Sequence, residues 1–203
     1  MASPLSEKRI YLASRSPRRR ELLKQIGVPF EVLLLRDHPG RNVDVDESQQ
    51  PGETPGDYVR RVCRLKAGAG WERVLQRRLR KFPVLAADTV VAVDDAILGK
   101  PVDPPRAVEM LKLLSGREHR VLTAVALKLD DRIELLVSES HVRFAELSQA
   151  DIEAYVASGE STDKAGAYAI QGRAQAFVAE LRGSHSGVMG LPLHETTQLI
   201  KNF

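Results

Sequence analysis

A small set of polar residues stands out on an otherwise apolar chain. It comprises Ser14, Arg18 and Arg19 near the N-terminus, Lys66 in a helical stretch, Asp88 and Thr89 beside an apolar run, and Lys100 in Gly99-Lys100-Pro101. Asp163, Lys164 and Gln171 follow in a segment of small residues. Several cations with a few carboxylates suit a phosphorylated substrate and a divalent metal. Phosphoryl chemistry needs positive charge around the transferring group and a base or metal to activate water. Arg18, Arg19 and Arg20 crowd the start of a helix, where the partial charge is already positive. Such crowding predicts an anion that completes the site. A solvated basic face is the alternative for the arginines, a snorkelling side chain for Lys66, and a plain turn cap for Asp88.

These residues need elements to hold them. Residues 9–13 read as a first strand. Ser16 is a good N-cap and Pro17 suits the first helical position, with Leu22, Leu23 and Ile26 as the apolar stripe and Gly27 as the stop. Residues 30–35 read as a second strand, completing a strand–helix–strand unit. Residues 36–55 are polar and form a long loop containing the acidic cluster Asp44, Asp46 and Glu47, for which solvated loop charge is one reading. Thr54 caps a helix over residues 55–80, where Val59, Val62, Cys63, Ala67 and Gly70 recur at helical spacing. A buried strand over residues 82–87 ends at Asp88-Thr89, and a carboxylate there is where open α/β sheets place ligands.

Asp103 with Pro104 starts the next helix, which Gly116 ends. Residues 119–129 and 133–144 form a long hairpin around Asp130-Asp131-Arg132, so the sheet is mixed. Ser148 caps a helix through Val156. Residues 177–181 form a strand, residues 183–187 a turn, and the last helix follows Gly190-Leu191-Pro192. There is no repeat and no clear linker, so residues 1–203 are expected to form one domain, with two lobes around a cleft as a variant of it.

Composition excludes several classes. With 203 residues, 43% hydrophobic and 28% charged, the chain has an ordinary globular balance and enough length for a sizeable core. One cysteine, Cys63, excludes an intrachain disulfide and a cysteine metal cluster, and fits a reducing cytoplasm. No apolar run approaches the roughly 18 residues of a membrane span. Aromatics are only 5% and no basic stretch interleaves with stacking residues, which speaks against direct nucleic-acid binding. No serine–histidine–acid set, zinc motif, Walker loop or dinucleotide fingerprint is present.

The motifs in order resemble the Maf family of nucleoside triphosphate pyrophosphatases. They are Leu12-Ala13-Ser14-Arg15-Ser16-Pro17-Arg18-Arg19, Ala87-Asp88-Thr89, Gly99-Lys100-Pro101, Leu114-Ser115-Gly116, Asp163-Lys164-Ala165-Gly166-Ala167-Tyr168 with Ile170-Gln171-Gly172, and Gly190-Leu191-Pro192. The resemblance runs over residues 10–203. It implies an α/β fold with an elongated mixed β-sheet, flanking helices and a central nucleotide cleft, commonly in a homodimer. It implies hydrolysis of nucleoside triphosphates to monophosphate and pyrophosphate with Mg²⁺ or Mn²⁺, guarding nucleic acids against misincorporation. Asp88 matches the family's catalytic proton acceptor. Arg18, Thr89 and Gln171 match its specificity positions, and Ser14, Arg19, Lys66, Lys100 and Lys164 its phosphate-facing positions.

Arg18-Arg19, Ala-Asp-Thr and Ile-Gln-Gly resemble the branch acting on dTTP and UTP, with modified pyrimidine nucleotides also expected. Gln171 offers both a donor and an acceptor, as a pyrimidine edge requires. Asp88 and Glu47 are the expected metal ligands, Glu47 through an acidic pair whose match a long 36–42 loop blurs. Ala169 and Leu65 depart from the family's usual residues. A non-catalytic nucleotide-binding regulator of cell division is the other function considered.

Overall fold

Three helices begin where a hydroxyl or carboxylate precedes a proline. Ser16 accepts from Arg19 N–H, Thr54 from Asp57 N–H at 3.2 Å, and Asp103 from Arg106 N–H at 2.8 Å. Each cap satisfies an orphan amide, and each proline loses nothing at the first helical position. These caps start α1 (Pro17–Gln25), α2 (Pro55–Gln76) and α3 (Pro104–Leu114). The structure is a computed structural model that describes residues 5–36 and 43–203. The remainder of the loop expected before α2, residues 37–42, lies outside the described residues.

Among the described residues, seven strands form one mixed sheet. Strands β1 (Ile10–Leu12) and β2 (Phe30–Val32) are parallel to each other, and β1 is parallel to β3 (Val84–Val93). The rest is antiparallel: β3 pairs β5 (Glu118–Leu129), β5 pairs β6 (Arg132–Phe144), and β6 pairs β7 (Val178–Arg182). The short β4 (Ala96–Leu98) folds back on β3. Three more helices complete the frame: α4 (Gln149–Ala157), α5 (His185–Met189) and α6 (Leu193–Asn202).

One edge of β3 is shared by two short strands. β1 lies against Val84 and Leu85, and β4 against Val91 to Val93. Among the described residues no strand pairs residues 86–90 on that side, while β5 pairs the other edge throughout. This leaves a notch in the sheet with Asp88 and Thr89 at its middle. The expected strand end before Asp88 is therefore corrected. The strand continues to Val93 because β5 carries its backbone hydrogen bonds, and Asp88 is a mid-strand carboxylate.

Alternation along β3 divides the core. Val84, Ala86, Val90 and Ala92 pack under α2 with Val59, Cys63, Ala67, Trp71 and Val74. A Cβ at Gly70 would stand 2.7 Å from Val84 Cγ1, so glycine there lets α2 lie close on the sheet. Leu85 and Ala87 face the other way, into a cluster with Leu22, Leu23 and Leu199. Val91 and Val93 join Leu111, Leu114, Ile152 and Tyr168. Smaller differences are local: the second strand stops at Val32, α2 stops at Gln76 before left-handed Arg78, and the expected 183–187 turn holds the helical turn α5.

Candidate active site

Helix α2 and strand β3 bring Lys66 and Asp88 together. Asp88 is only 6% exposed, and Lys66 Nζ donates to its Oδ1 at 2.6 Å. Burial pushes the Asp88 carboxyl above its ordinary value, with Lys66 and Arg19 opposing the shift. Glu47 Oε2 lies 3.0 Å from the same Nζ, so one ammonium sits between two carboxylates.

Glu47 is delivered by a loop pinned at both ends. Arg73 Nη2 meets Asp44 Oδ1 at 2.5 Å, and Arg61 Nε meets Glu53 Oε1 at 2.6 Å. Although burial opposes it, hydrogen bonding by Arg73 and Arg36 holds the Asp44 carboxyl at about 2. Between the pins, Tyr58 Oη donates to the Glu47 carbonyl at 2.8 Å. The acidic loop cluster thus divides by role: Asp44 fastens the loop, Asp46 accepts from Ser48 N–H, and Glu47 meets Lys66.

Arg19 ties α1 across the notch. Its Nε donates to the Gly190 carbonyl at 2.7 Å, Nη1 to Ser14 Oγ at 3.2 Å and Nη2 to Thr89 Oγ1 at 3.3 Å. Ser14 Oγ also accepts from Ser16 N–H at 3.2 Å. Both Ser14 lone pairs are then engaged, and its proton is left for an acceptor such as a phosphate oxygen. Arg18 Nε is buried with no hydrogen-bond partner among the described residues, and burial lowers the Arg18 pKa, as it does for Arg19. Burial, with Arg18 and Lys100 nearby, also lowers that of Lys164. Burial and mutual repulsion disfavour the charge on these cations, the condition an anionic ligand relieves.

The small-residue segment forms the opposite wall. It turns through a short 3-10 element, Ala165–Ala167, where Gly166 has φ 69° and donates to the Gly99 carbonyl at 3.1 Å. A Cβ there would come within 2.9 Å of Val91 Cγ1. Ala169 N–H donates to Tyr155 Oη at 3.1 Å, and Tyr168 Oη lies 2.8 Å from His119 Nε2. These ties hold Gln171 at the rim.

All ten residues singled out from the sequence face one cleft of about 850 Å³: Ser14, Arg18, Arg19, Glu47, Lys66, Asp88, Thr89, Lys100, Lys164 and Gln171. Asp163 lines it as well. Sequence reasoning missed Tyr58, Tyr155, His119 and Thr123. Thr123 is a single hydroxyl inside an apolar strand, and nothing in its neighbours signals a role.

The family model described as Maf-like protein matches residues 9–203. The chain belongs to the Maf family. Among its relatives, the dTTP/UTP pyrophosphatase of Nitrosomonas europaea is 56% identical over 192 residues, covering 95% of this chain and 93% of the relative. The dTTP/UTP pyrophosphatase of Aromatoleum aromaticum is 55% identical over 196 residues, covering 96% and 95%. Among solved structures, the Ham1 protein of Staphylococcus aureus overlays 68% of this Maf chain and 73% of its own, with a TM-score of 0.42 and 16% identity. That overlay is too distant to bear on the site.

The cleft also fits a divalent cation. Among the described residues no three metal-ligating side chains cluster into an all-protein cage. Asp88 and Glu47 already converge on one cation, the Lys66 ammonium. Two carboxylates completed by water and substrate phosphates are what Mg²⁺ ordinarily takes.

Proposed function

We propose that this protein hydrolyses dTTP and UTP, and modified pyrimidine triphosphates of the same shape, to the monophosphate and pyrophosphate. The observation that carries the reading is the buried Asp88 with its raised pKa, set in a cleft lined by Arg18, Arg19, Lys66, Lys100 and Lys164. The named activity of relatives at 51–56% identity supports it.

Water attacks the α-phosphorus and passes a proton to Asp88 as the new P–O bond forms. The bond to the bridging oxygen breaks and pyrophosphate leaves. Lys66, freed to turn from Asp88 toward a phosphate, withdraws a stabilising partner from the carboxylate and makes it a better base. Arg18, Arg19, Lys66, Lys100 and Lys164 offset the developing charge, and Ser14 donates to a phosphate oxygen. Thr89 and Gln171 read the base. Asp88 and Glu47 would hold a Mg²⁺ or Mn²⁺ ion, which supplies Lewis-acid charge to the triphosphate. A cytoplasmic homodimer belongs to the same reading on family membership. No described helix is long and apolar enough to cross a membrane.

Asp88→Asn is expected to abolish pyrophosphate release from dTTP and UTP, by at least about a thousandfold, with cooperative thermal unfolding retained. Undiminished turnover in that variant would remove Asp88 from the chemistry. A wild type that binds nucleotides and releases no pyrophosphate would leave the regulator as the better reading.

A further inference from the structure

Thr123 lies at the centre of β5, fully buried and directly opposite Thr89 on β3. Its Oγ1 is 2.8 Å from the Gly187 carbonyl and 2.9 Å from Thr89 Oγ1. A carbonyl only accepts, so the one Thr123 proton is committed to Gly187. That leaves a single assignment for the pair of hydroxyls: Thr89 donates and Thr123 accepts. On the other side of Thr89, Arg19 Nη2 donates at 3.3 Å, and a guanidinium never accepts. The Thr89 hydroxyl has therefore committed its proton and one lone pair inside the protein. Only its second lone pair remains for the cleft. Thr89 is an acceptor there, whereas Ser14, with both lone pairs engaged, is a donor.

We propose that Thr123 is a positioning residue that selects the base. By holding the Thr89 proton inward, it makes Thr89 an acceptor toward the ligand, matched to the N3–H of uracil or thymine and mismatched to N3 of cytosine. This rests on the reading above in which Thr89 faces the base. The polarity follows from the hydrogen bonds alone. Thr89 alternates with Asp88 along β3, so its side chain leaves the face of the sheet that carries the Lys66–Asp88 pair, and it lines the same cleft as Gln171. Gln171 supplies the amide donor that a uracil carbonyl needs. A site built on a fixed donor–acceptor pattern rejects the analogue that reverses it, because a desolvated acceptor then faces an acceptor.

The test reads binding, not turnover, so failure of the hydrolase reading is scored separately by pyrophosphate release. The α,β-imido analogues of UTP and CTP are titrated calorimetrically into wild type, Thr123→Val and Thr123→Ser. The wild type is expected to prefer the uridine analogue. Thr123→Val frees the Thr89 proton to turn outward, and the uridine-to-cytidine preference is expected to fall about tenfold. Thr123→Ser keeps the acceptor and is expected to hold the preference within about twofold of wild type. On the wild type itself, the N3-methyl uridine analogue, lacking the donor, is expected to bind at least about tenfold more weakly than its parent. Equal wild-type affinity for uridine and cytidine, or for uridine and its N3-methyl form, overturns the proposal. So does an unchanged preference in folded Thr123→Val, or an equal loss in Thr123→Ser.

Discussion

Asp88 and His119 are both buried, and burial moves their titrations in opposite directions because it disfavours the charged form of each. For Asp88 the consequence is kinetic. A general base works only when ionised, so the Asp88 titration sets the acid limb of kcat/KM, which burial pushes up and Lys66 and Arg19 oppose. Lys66→Met removes the opposing cation, so the limb should move to still higher pH; a limb that stays in place would show that Lys66 does not tune Asp88.

For His119 the consequence is stability. The unfolded imidazole takes a proton below about 6.5, while the folded one, 2% exposed, resists until about 4. Between those values the unfolded state binds more protons, so stability falls as pH falls, by up to about 3 kcal/mol across the window. Asp88 runs the other way: its raised pKa adds stability at low pH that is lost as pH rises through it. The His119 share is therefore read as a difference. Urea unfolding of wild type and His119→Gln should diverge in pH slope only between about 6.5 and 4.

At the scale of elements, what was legible in the sequence was local. Ser16-Pro17, Thr54-Pro55 and Asp103-Pro104 announce their helices because a cap acts within three residues. The continuation of β3 past Asp88 was not legible, because its cause is pairing with β5, as in Asp88 opposite Ala124 and Thr89 opposite Thr123. The family resemblance singled out Glu47, but the residue types of the loop alone do not separate Asp44 from Glu47. Both look like solvated loop acids until Arg73 and Lys66 stand beside them. The site residues themselves were legible as a set of types in order, but their common cleft required the notch.

The wall carrying Gln171 depends on one backbone turn. Gly166→Ala places a methyl against Val91 at a positive φ, and is expected to destabilise the fold by about 1–3 kcal/mol and to raise KM. Val91→Ala in the same chain makes room and should recover part of both losses. If the double variant is no better than the single one, the contact with Val91 is not what constrains the turn.

Across the whole molecule, the cleft is where separate core clusters meet. Arg19 joins α1 to the Gly190 carbonyl and to Thr89, while Glu47 and Lys66 come from the loop and α2. A ligand that contacts all of them binds only the folded chain. At a hundredfold excess over its Kd, the imido-UTP analogue should add about 2.7 kcal/mol, or roughly 5–10 °C in Tm for a chain of this size. Mg²⁺ is expected to enlarge that shift, and Glu47→Gln to remove the enlargement while leaving the metal-free part. A metal effect unaltered by Glu47→Gln would place the ion elsewhere.

The notch in β3 carries a further consequence. Unpaired strand edges invite other chains to add a strand, the usual route to aggregation. Here the open residues, 86–90, are closed off at one end by β1 and at the other by β4. A foreign strand has no room to run past either neighbour. The outer borders of the sheet are blunted differently, β2 by being only three residues long and β7 by Glu180 and Arg182. The gap at residues 86–90 is thus bounded at both ends and is not offered to another protein as a continuous edge.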